Sequence, residues 1–228
     1  MQMQDRTAIV TGGAGAIGRA LTALLLAEGA TVVVADRVAP AAAPRLGYVE
    51  TDLTSEASVR ALVERTVADH RRVDALFNVA GGFRYGPSVD ETDESVWDAM
   101  LQLNLKSAFL CIKHVLPVMR RQGYGRIVSV AARSGLKGDA MVAPYAISKA
   151  GVILLTQSVA EEAKAYGDVT ANAVLPSVVD TPANRASMAD ADFATWVAPR
   201  DLAEVMVFLG SERARAVRGA AVPVYHKA

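Results

Sequence analysis

Short runs of consecutive apolar residues alternate along the chain with longer stretches in which apolar positions recur every three or four residues. The runs predict strands at Thr7–Val10, Thr31–Ala35, Tyr48–Glu50, Val73–Val79, Arg126–Ala131, Val169–Leu175 and Ala220–Val224. The periodic stretches predict helices at Ile17–Glu28, Ser55–Asp69, Glu94–Arg121 (with Pro117 near its last turns), Ala146–Tyr166 and Arg200–Leu209. Gly29 reads as the stop of the first helix, because a glycine readily takes the left-handed conformation that ends one. The strand at Thr31–Ala35 is apolar throughout instead of alternating, as a strand covered on both faces requires.

Strand and helix in regular alternation predict an α/β fold: a doubly wound Rossmann-type parallel sheet with right-handed crossovers and helices on both faces. No repeat of solenoid length interrupts the pattern. The Ala/Pro stretch at residues 39–44 is too short for a linker and reads as a surface loop. One domain over residues 1–228 is expected.

Composition narrows the function. The 228 residues carry 24 Lys+Arg against 24 Asp+Glu, a formal net charge of zero. Such a chain has no bulk attraction to nucleic acid or to an anionic membrane. Hydrophobic residues reach 52%, enough for a sizeable core. One cysteine, Cys111, excludes an internal disulfide framework and a cysteine-based zinc site. His70, His114 and His226 have no acidic partner at ligand spacing, so no metal is expected. There is no apolar run of membrane-spanning length and no secretory pattern at the N-terminus, so a cytoplasmic protein is expected.

The first strand runs into Thr11-Gly12-Gly13-Ala14-Gly15-Ala16-Ile17-Gly18 and then into a helix. Gly13-x-Gly15-x-x-Gly18 in that context fits a dinucleotide loop, whose glycines let a pyrophosphate reach the free N–H groups of the helix start. Asp36 ends the next strand, where a carboxylate accepts both hydroxyls of the adenosine ribose and repels a 2′-phosphate. NAD(H) is therefore preferred. The adjacent Arg37 is a counter-signal that leaves NADP(H) open.

Tyr145 and Lys149 sit one turn apart at the start of a predicted helix and share a face. An ammonium beside a phenol stabilises the phenolate, so the pair is a candidate proton donor.

With these residues the chain resembles the short-chain dehydrogenase/reductase family from Thr7 to about Val224. The glycine loop is similar to the family's, with Ala16 where glycine is commoner. Asp52-Leu53 resembles the pair that flanks the adenine. Asn78-Val79-Ala80-Gly81 resembles Asn-Asn-Ala-Gly, with Val79 replacing the second asparagine. Asn104-Leu105-Lys106-Ser107 resembles the segment of the catalytic asparagine. Tyr145-Ala146-Ile147-Ser148-Lys149 matches Tyr-x-x-x-Lys. Pro176-Ser177 resembles a Pro-Gly turn, and Val179-x-Thr181 the pair that holds the nicotinamide carboxamide. The resemblance implies a seven-stranded sheet and NAD(P)H-dependent hydride transfer to a C=O or C=N group. Tyr145 would give the proton. Lys149 would hold the nicotinamide ribose and depress the tyrosine pKa. Asn104 would position a water that feeds protons to the lysine. A small-molecule substrate and a homotetramer or dimer built through the two long helices are implied likewise.

One departure stands out. Ala132 occupies the position of the family's catalytic serine, and an alanine gives no hydrogen bond to a carbonyl oxygen. Losing one such donor typically costs about 2.7–4 kcal/mol. Ser134 could reach in from the loop, the substrate could be activated enough to dispense with the donor, or the protein could have become a non-catalytic NAD(H)-binding sensor or structural subunit. The segment from Asp180 to Trp196 resembles that of dihydropteridine reductases, a branch that also lacks the serine and prefers NADH. The branch implies quinonoid dihydropterin as an alternative substrate. A lid over residues 180–200 is expected, with Trp196 either lining the substrate pocket or anchoring the lid.

Overall fold

The apolar runs form seven strands: β1 Thr7–Thr11, β2 Thr31–Asp36, β3 Leu46–Glu50, β4 Ala75–Asn78, β5 Tyr124–Val130, β6 Asp168–Pro176 and β7 Ala221–Val224. In the computed structural model, which describes residues 1–227, they make one sheet in the order β3-β2-β1-β4-β5-β6-β7. Every neighbouring pair is parallel. The helices are α1 Ala16–Ala27, α2 Glu56–His70, α3 Glu94–Met100, α4 Ser107–Gln122, α5 Ala143–Glu162, α6 Pro182–Ser187 and α7 Pro199–Gly210.

The unbroken apolar character of the strands follows from cover on both faces. Val10, Val32 and Phe77 pack with Leu21 and Leu25 of α1 and with Leu202 and Met206 of α7. Their strand neighbours Ile9, Val33 and Leu76 point the other way, into Val59 and Leu62 of α2, Val115 and Met119 of α4 and Val159 of α5. Each large side chain so buried contributes about 1.5–3 kcal/mol. Arg126, fully buried in β5, is held by the Asp168 carboxylate at 2.7 Å and by the Ser211, Gly125 and Asp168 carbonyls. The sheet order reverses direction between β1 and β4, and the crevice beyond the carboxyl ends of that pair is where an open α/β sheet takes its ligand.

Several element boundaries differ from the sequence reading. The single helix expected over Glu94–Arg121 is α3 and α4 joined by a π-helical segment, Leu101–Lys106, in which the Ser107 N–H bonds back to the Gln102 carbonyl. Six residues of wider winding leave an apolar period that sequence alone does not separate from α-helix. The helix expected from Ala146 begins at Ala143, with Pro144 in its first turn, and gives way after Glu162 to a 3-10 turn. Strands β3, β5 and β6 start earlier than expected, because parallel pairing recruits Leu46, Tyr124 and Asp168 whatever their polarity. Strand β4 is shorter, as Val73 and Val79 lie outside its ladder.

Candidate active site

The glycine loop is shaped by close approach. Gly12 has φ +67°, and a methyl group there would lie 2.8 Å from the Ala80 Cα. One on Gly13 would lie 2.6 Å from the Val34 side chain, and one on Gly18 would overlap the Gly12 carbonyl. Thr11 Oγ1 accepts the Val79 and Ala80 N–H groups at 3.0 and 3.1 Å, pinning the ends of β1 and β4 together. No side chain caps the start of α1 at Gly15, so its first-turn N–H groups remain available to an anion.

A cleft of about 600 Å³ lies over this loop. Gly12, Gly15, Ala16, Ile17 and Gly18 form its floor, Asp36, Arg37, Asp52 and Leu53 one end, and Ala80, Gly81 and Thr181 the other. Thr11, Gly13 and Asn78 do not line it, and Asn78 donates to Ser129 Oγ at 3.1 Å. The Asp36 carboxylate accepts the N–H groups of Ala14 (2.9 Å), Arg37 (2.7 Å) and Val38 (3.2 Å), which fix it at the cleft end. Asp52 meets the Arg37 guanidinium at 3.1 Å. Hydrogen bonds from Thr54, with a smaller contribution from Arg37, hold the Asp52 carboxyl below the ordinary carboxylate range. The cradle of small residues, the open N–H groups and the fixed carboxylate fit a dinucleotide.

A second cleft of about 420 Å³ adjoins the first, and Ile17, Val79, Gly81 and Thr181 line both. Tyr145, Lys149, Ala132, Ser134, Pro176 and Val179 line it. Helix α5 supplies the tyrosine and the lysine, and the segment after β5 supplies Ala132 and Ser134. Lys149 Nζ donates to the Val130 carbonyl at 2.8 Å and lies 5.9 Å from the Tyr145 ring centre. Burial pushes the Lys149 ammonium down to about 8 and the Tyr145 phenol up to about 12. The expected depression of the tyrosine by the lysine is thus not what this geometry gives, because desolvation dominates both groups. Phe83 meets the Tyr145 ring edge-on at 4.9 Å.

Asn104 enters from the π-helical segment. Its Oδ1 accepts the Gly82 N–H at 2.9 Å, and its Nδ2 donates to the Gly82 carbonyl at 3.1 Å and to Ser148 Oγ at 3.0 Å. Ser148 Oγ donates in turn to the Tyr145 carbonyl at 2.7 Å. A methyl group on Gly81 would lie 2.7 Å from Asn104 Oδ1 and 3.2 Å from Lys149 Nζ, so only a glycine lets the two groups come so near. Trp196 lines neither cleft; it is 7% exposed and packs on Phe193 at 4.8 Å.

Sequence reasoning missed Ser148, whose place inside Tyr-x-x-x-Lys on the face of Tyr145 was the available signal. It also missed Arg133, Asn184 and Met188 in the second cleft, for which no spacing gave a signal. Among the described residues no group of three or more His, Cys, Asp or Glu could hold a metal ion. None of the described helices is long and apolar enough to cross a membrane.

A parallel sheet in this order, with a glycine cradle at its switch point and a Tyr/Lys pair beside it, has the architecture of a nucleotide-binding α/β fold. The chain belongs to the short-chain dehydrogenase family, whose model, described as short chain dehydrogenase, matches residues 6–192. Use of NAD(P)(H) is general in that family. Cis-4-hydroxycyclohexanecarboxylate dehydrogenase of Sinomonas cyclohexanicum is 37% identical over 238 residues, covering 96% of this chain and 95% of its own. A 3-oxoacyl-(acyl-carrier-protein) reductase of Thermotoga maritima is 30% identical over 242 residues, covering 98% of each chain. The crystal structure of levodione reductase matches with a TM-score of 0.87 at 28% identity, over 98% of this chain and 97% of that one. Ligand-free aldohexose dehydrogenase of Thermoplasma acidophilum matches with a TM-score of 0.89 at 25% identity, over 97% of this chain and 93% of that one.

Proposed function

We propose that this protein is an NAD(H)-dependent oxidoreductase that interconverts a ring-borne secondary alcohol and its ketone, with Tyr145 as proton donor in the direction of reduction. The observation that carries this reading is the junction of the two clefts at Gly81 and Thr181, with Tyr145 and Lys149 beside the dinucleotide cradle. Gly12 and the start of α1 would hold the pyrophosphate, Asp36 the adenosine ribose, Asp52 and Leu53 the adenine, and Pro176, Val179 and Thr181 the nicotinamide. NAD(H) is favoured because the Asp36 carboxylate, held by the Ala14 N–H, would repel a 2′-phosphate, and Arg37 is engaged by Asp52. The nicotinamide, when bound, supplies or accepts the hydride.

Tyr145, protonated at neutral pH, gives its proton to the substrate oxygen, and Lys149 faces the phenolate so formed with a cation. Asn104 and Ser148 act as positioning residues: they fix α5 against the Gly81–Gly82 turn. The ring-borne alcohol is drawn from the name of the relative that is 37% identical. Exposed apolar residues Phe109, Ile147 and Leu154 on α4 and α5 support assembly as a homo-oligomer, and the lone free Cys111 accords with a cytoplasmic setting.

A second reading, reduction of quinonoid dihydropterin, is favoured by Ala132, since an electron-poor acceptor needs no donor there. The test is NADH and NADPH oxidation with cyclic ketones and with quinonoid dihydropterin, repeated for Tyr145→Phe. Ketone reduction with NADH, lowered about 10²–10⁴-fold in the variant while NADH still binds, is the expected result. Fast pterin and slow ketone reduction would favour the second reading. NADH binding with no turnover on any acceptor would make the protein a cofactor-binding sensor.

A further inference from the structure

The charges around the two clefts are almost all committed. Arg37 is paired with Asp52 at 3.1 Å, and Arg185 grips Asp180 through two contacts at 2.5 and 2.7 Å. Arg19 donates to the Ala14 carbonyl, and the Lys149 ammonium donates to the Val130 carbonyl and faces the Tyr145 ring. Asp139, the one acid lining the second cleft, faces Lys137 at 3.7 Å. Arg133, an exposed residue directly after Ala132, lines the same cleft and makes no salt bridge or side-chain hydrogen bond among the described residues. Its guanidinium carbon instead lies 5.6 Å from the centre of the Tyr225 ring.

The backbone that carries this partly buried ring is tied down. The Tyr225 carbonyl accepts Ser177 Oγ at 2.9 Å, which ties the end of β7 to the turn after β6. A guanidinium resting on an aromatic face keeps its in-plane N–H groups for a second partner, and a carboxylate matches that planar fork. The rest of the lining carries no further charge: Phe83, Val179 and Met188 are apolar, and Ser134, Thr181 and Asn184 are neutral polar groups.

We infer that Arg133 is the anion receptor of the substrate cleft, and that the substrate is an apolar ketone or alcohol bearing one carboxylate group. A single guanidinium sharing its cleft with Asp139 suits a monoanion and not a phosphate dianion. The inference rests on the oxidoreductase reading for the word substrate, but anion binding is measurable without turnover.

The experiment titrates the protein–NADH complex with cyclohexanecarboxylate and with cyclohexanecarboxamide, and measures kcat/KM for 4-oxocyclohexanecarboxylate and its methyl ester. The wild type, Arg133→Met and Arg133→Lys are compared, with NADH affinity as the check on folding. The carboxylate should bind the wild type about 10- to 100-fold more tightly than the amide, and more weakly as salt is raised. Arg133→Met should bring the two ligands, and the acid and ester kcat/KM values, close to parity, and Arg133→Lys should restore part of the preference. Equal binding of acid and amide to the wild type, or a preference that survives Arg133→Met, would overturn the inference. If no ketone is reduced, the oxidoreductase reading fails while the titration still decides the role of Arg133.

Discussion

The Asn104 side chain and the Gly82 peptide form a two-way pair, in which Oδ1 accepts the Gly82 N–H at 2.9 Å and Nδ2 donates to the Gly82 carbonyl at 3.1 Å. With the further bond to Ser148, both amide hydrogens and the amide oxygen are engaged in a side chain only 2% exposed. The turn that follows β4 is thereby fixed to the helix that carries Tyr145 and Lys149.

Asn104→Asp keeps the shape and removes both donors, placing a carboxylate against the Gly82 carbonyl. A loss of stability of about 1–3 kcal/mol is expected, together with a fall in kcat larger than any rise in KM for NADH. Thermal unfolding and steady-state kinetics check it; an unchanged melting temperature would show that the pair holds nothing.

Burial of Lys149 makes stability depend on pH. Its folded pKa of about 8 lies below its ordinary value of 10.5, so the unfolded chain binds more protons between those limits. The penalty for burying the ammonium is present in full below pH 8 and fades as pH rises towards 10.5. Relative to Lys149→Met, the wild type should therefore gain on the order of 1–3 kcal/mol between pH 7 and pH 10. Denaturant unfolding of both proteins at several pH values measures this. A difference constant with pH would contradict it.

Ala132 brings no hydroxyl to the second cleft, which Tyr145 also lines. Ala132→Ser supplies that donor with one added atom. If the acceptor is an unactivated ketone, kcat should rise, by up to about 10²-fold. No gain with ketones would mean that another group already binds the substrate oxygen or that the true acceptor is an activated one. Ser134→Ala then separates those cases.

Cofactor choice should hinge on Asp36. Asp36→Ser removes the charge that repels a 2′-phosphate and leaves Arg37 nearby. The ratio of kcat/KM for NADH over NADPH should drop by about 10-fold or more. Combining it with Asp52→Asn, which releases Arg37 from its 3.1 Å contact, should lower the ratio further.

Much of the site was legible because its residues are local in sequence. The glycine loop is one turn, and Tyr145 and Lys149 share one helix face. Asp36 marks the end of a strand whose apolar run stops there. Asn104 was legible as a residue type in a similar segment, but its geometry was not. It sits in a π-helical segment, and its side chain bonds to Gly82 and Ser148, which come from distant parts of the chain. The same holds for Lys149, whose spacing from Tyr145 promised a lowered phenol pKa. Desolvation by the surrounding fold outweighs that effect.

By itself the sequence determined the alternation of strand and helix, the parallel sheet and the glycine loop between β1 and α1, because these depend on short-range periodicity and on backbone freedom at a few glycines. Only the tertiary structure decided that Trp196 packs on Phe193 outside both clefts, that Arg37 meets Asp52, and that Arg133 lines the second cleft near the ring of Tyr225. Each of these joins residues from separate elements. Their contacts follow from how the helices and loops cover the carboxyl end of the sheet, a relation that no local pattern of residues encodes.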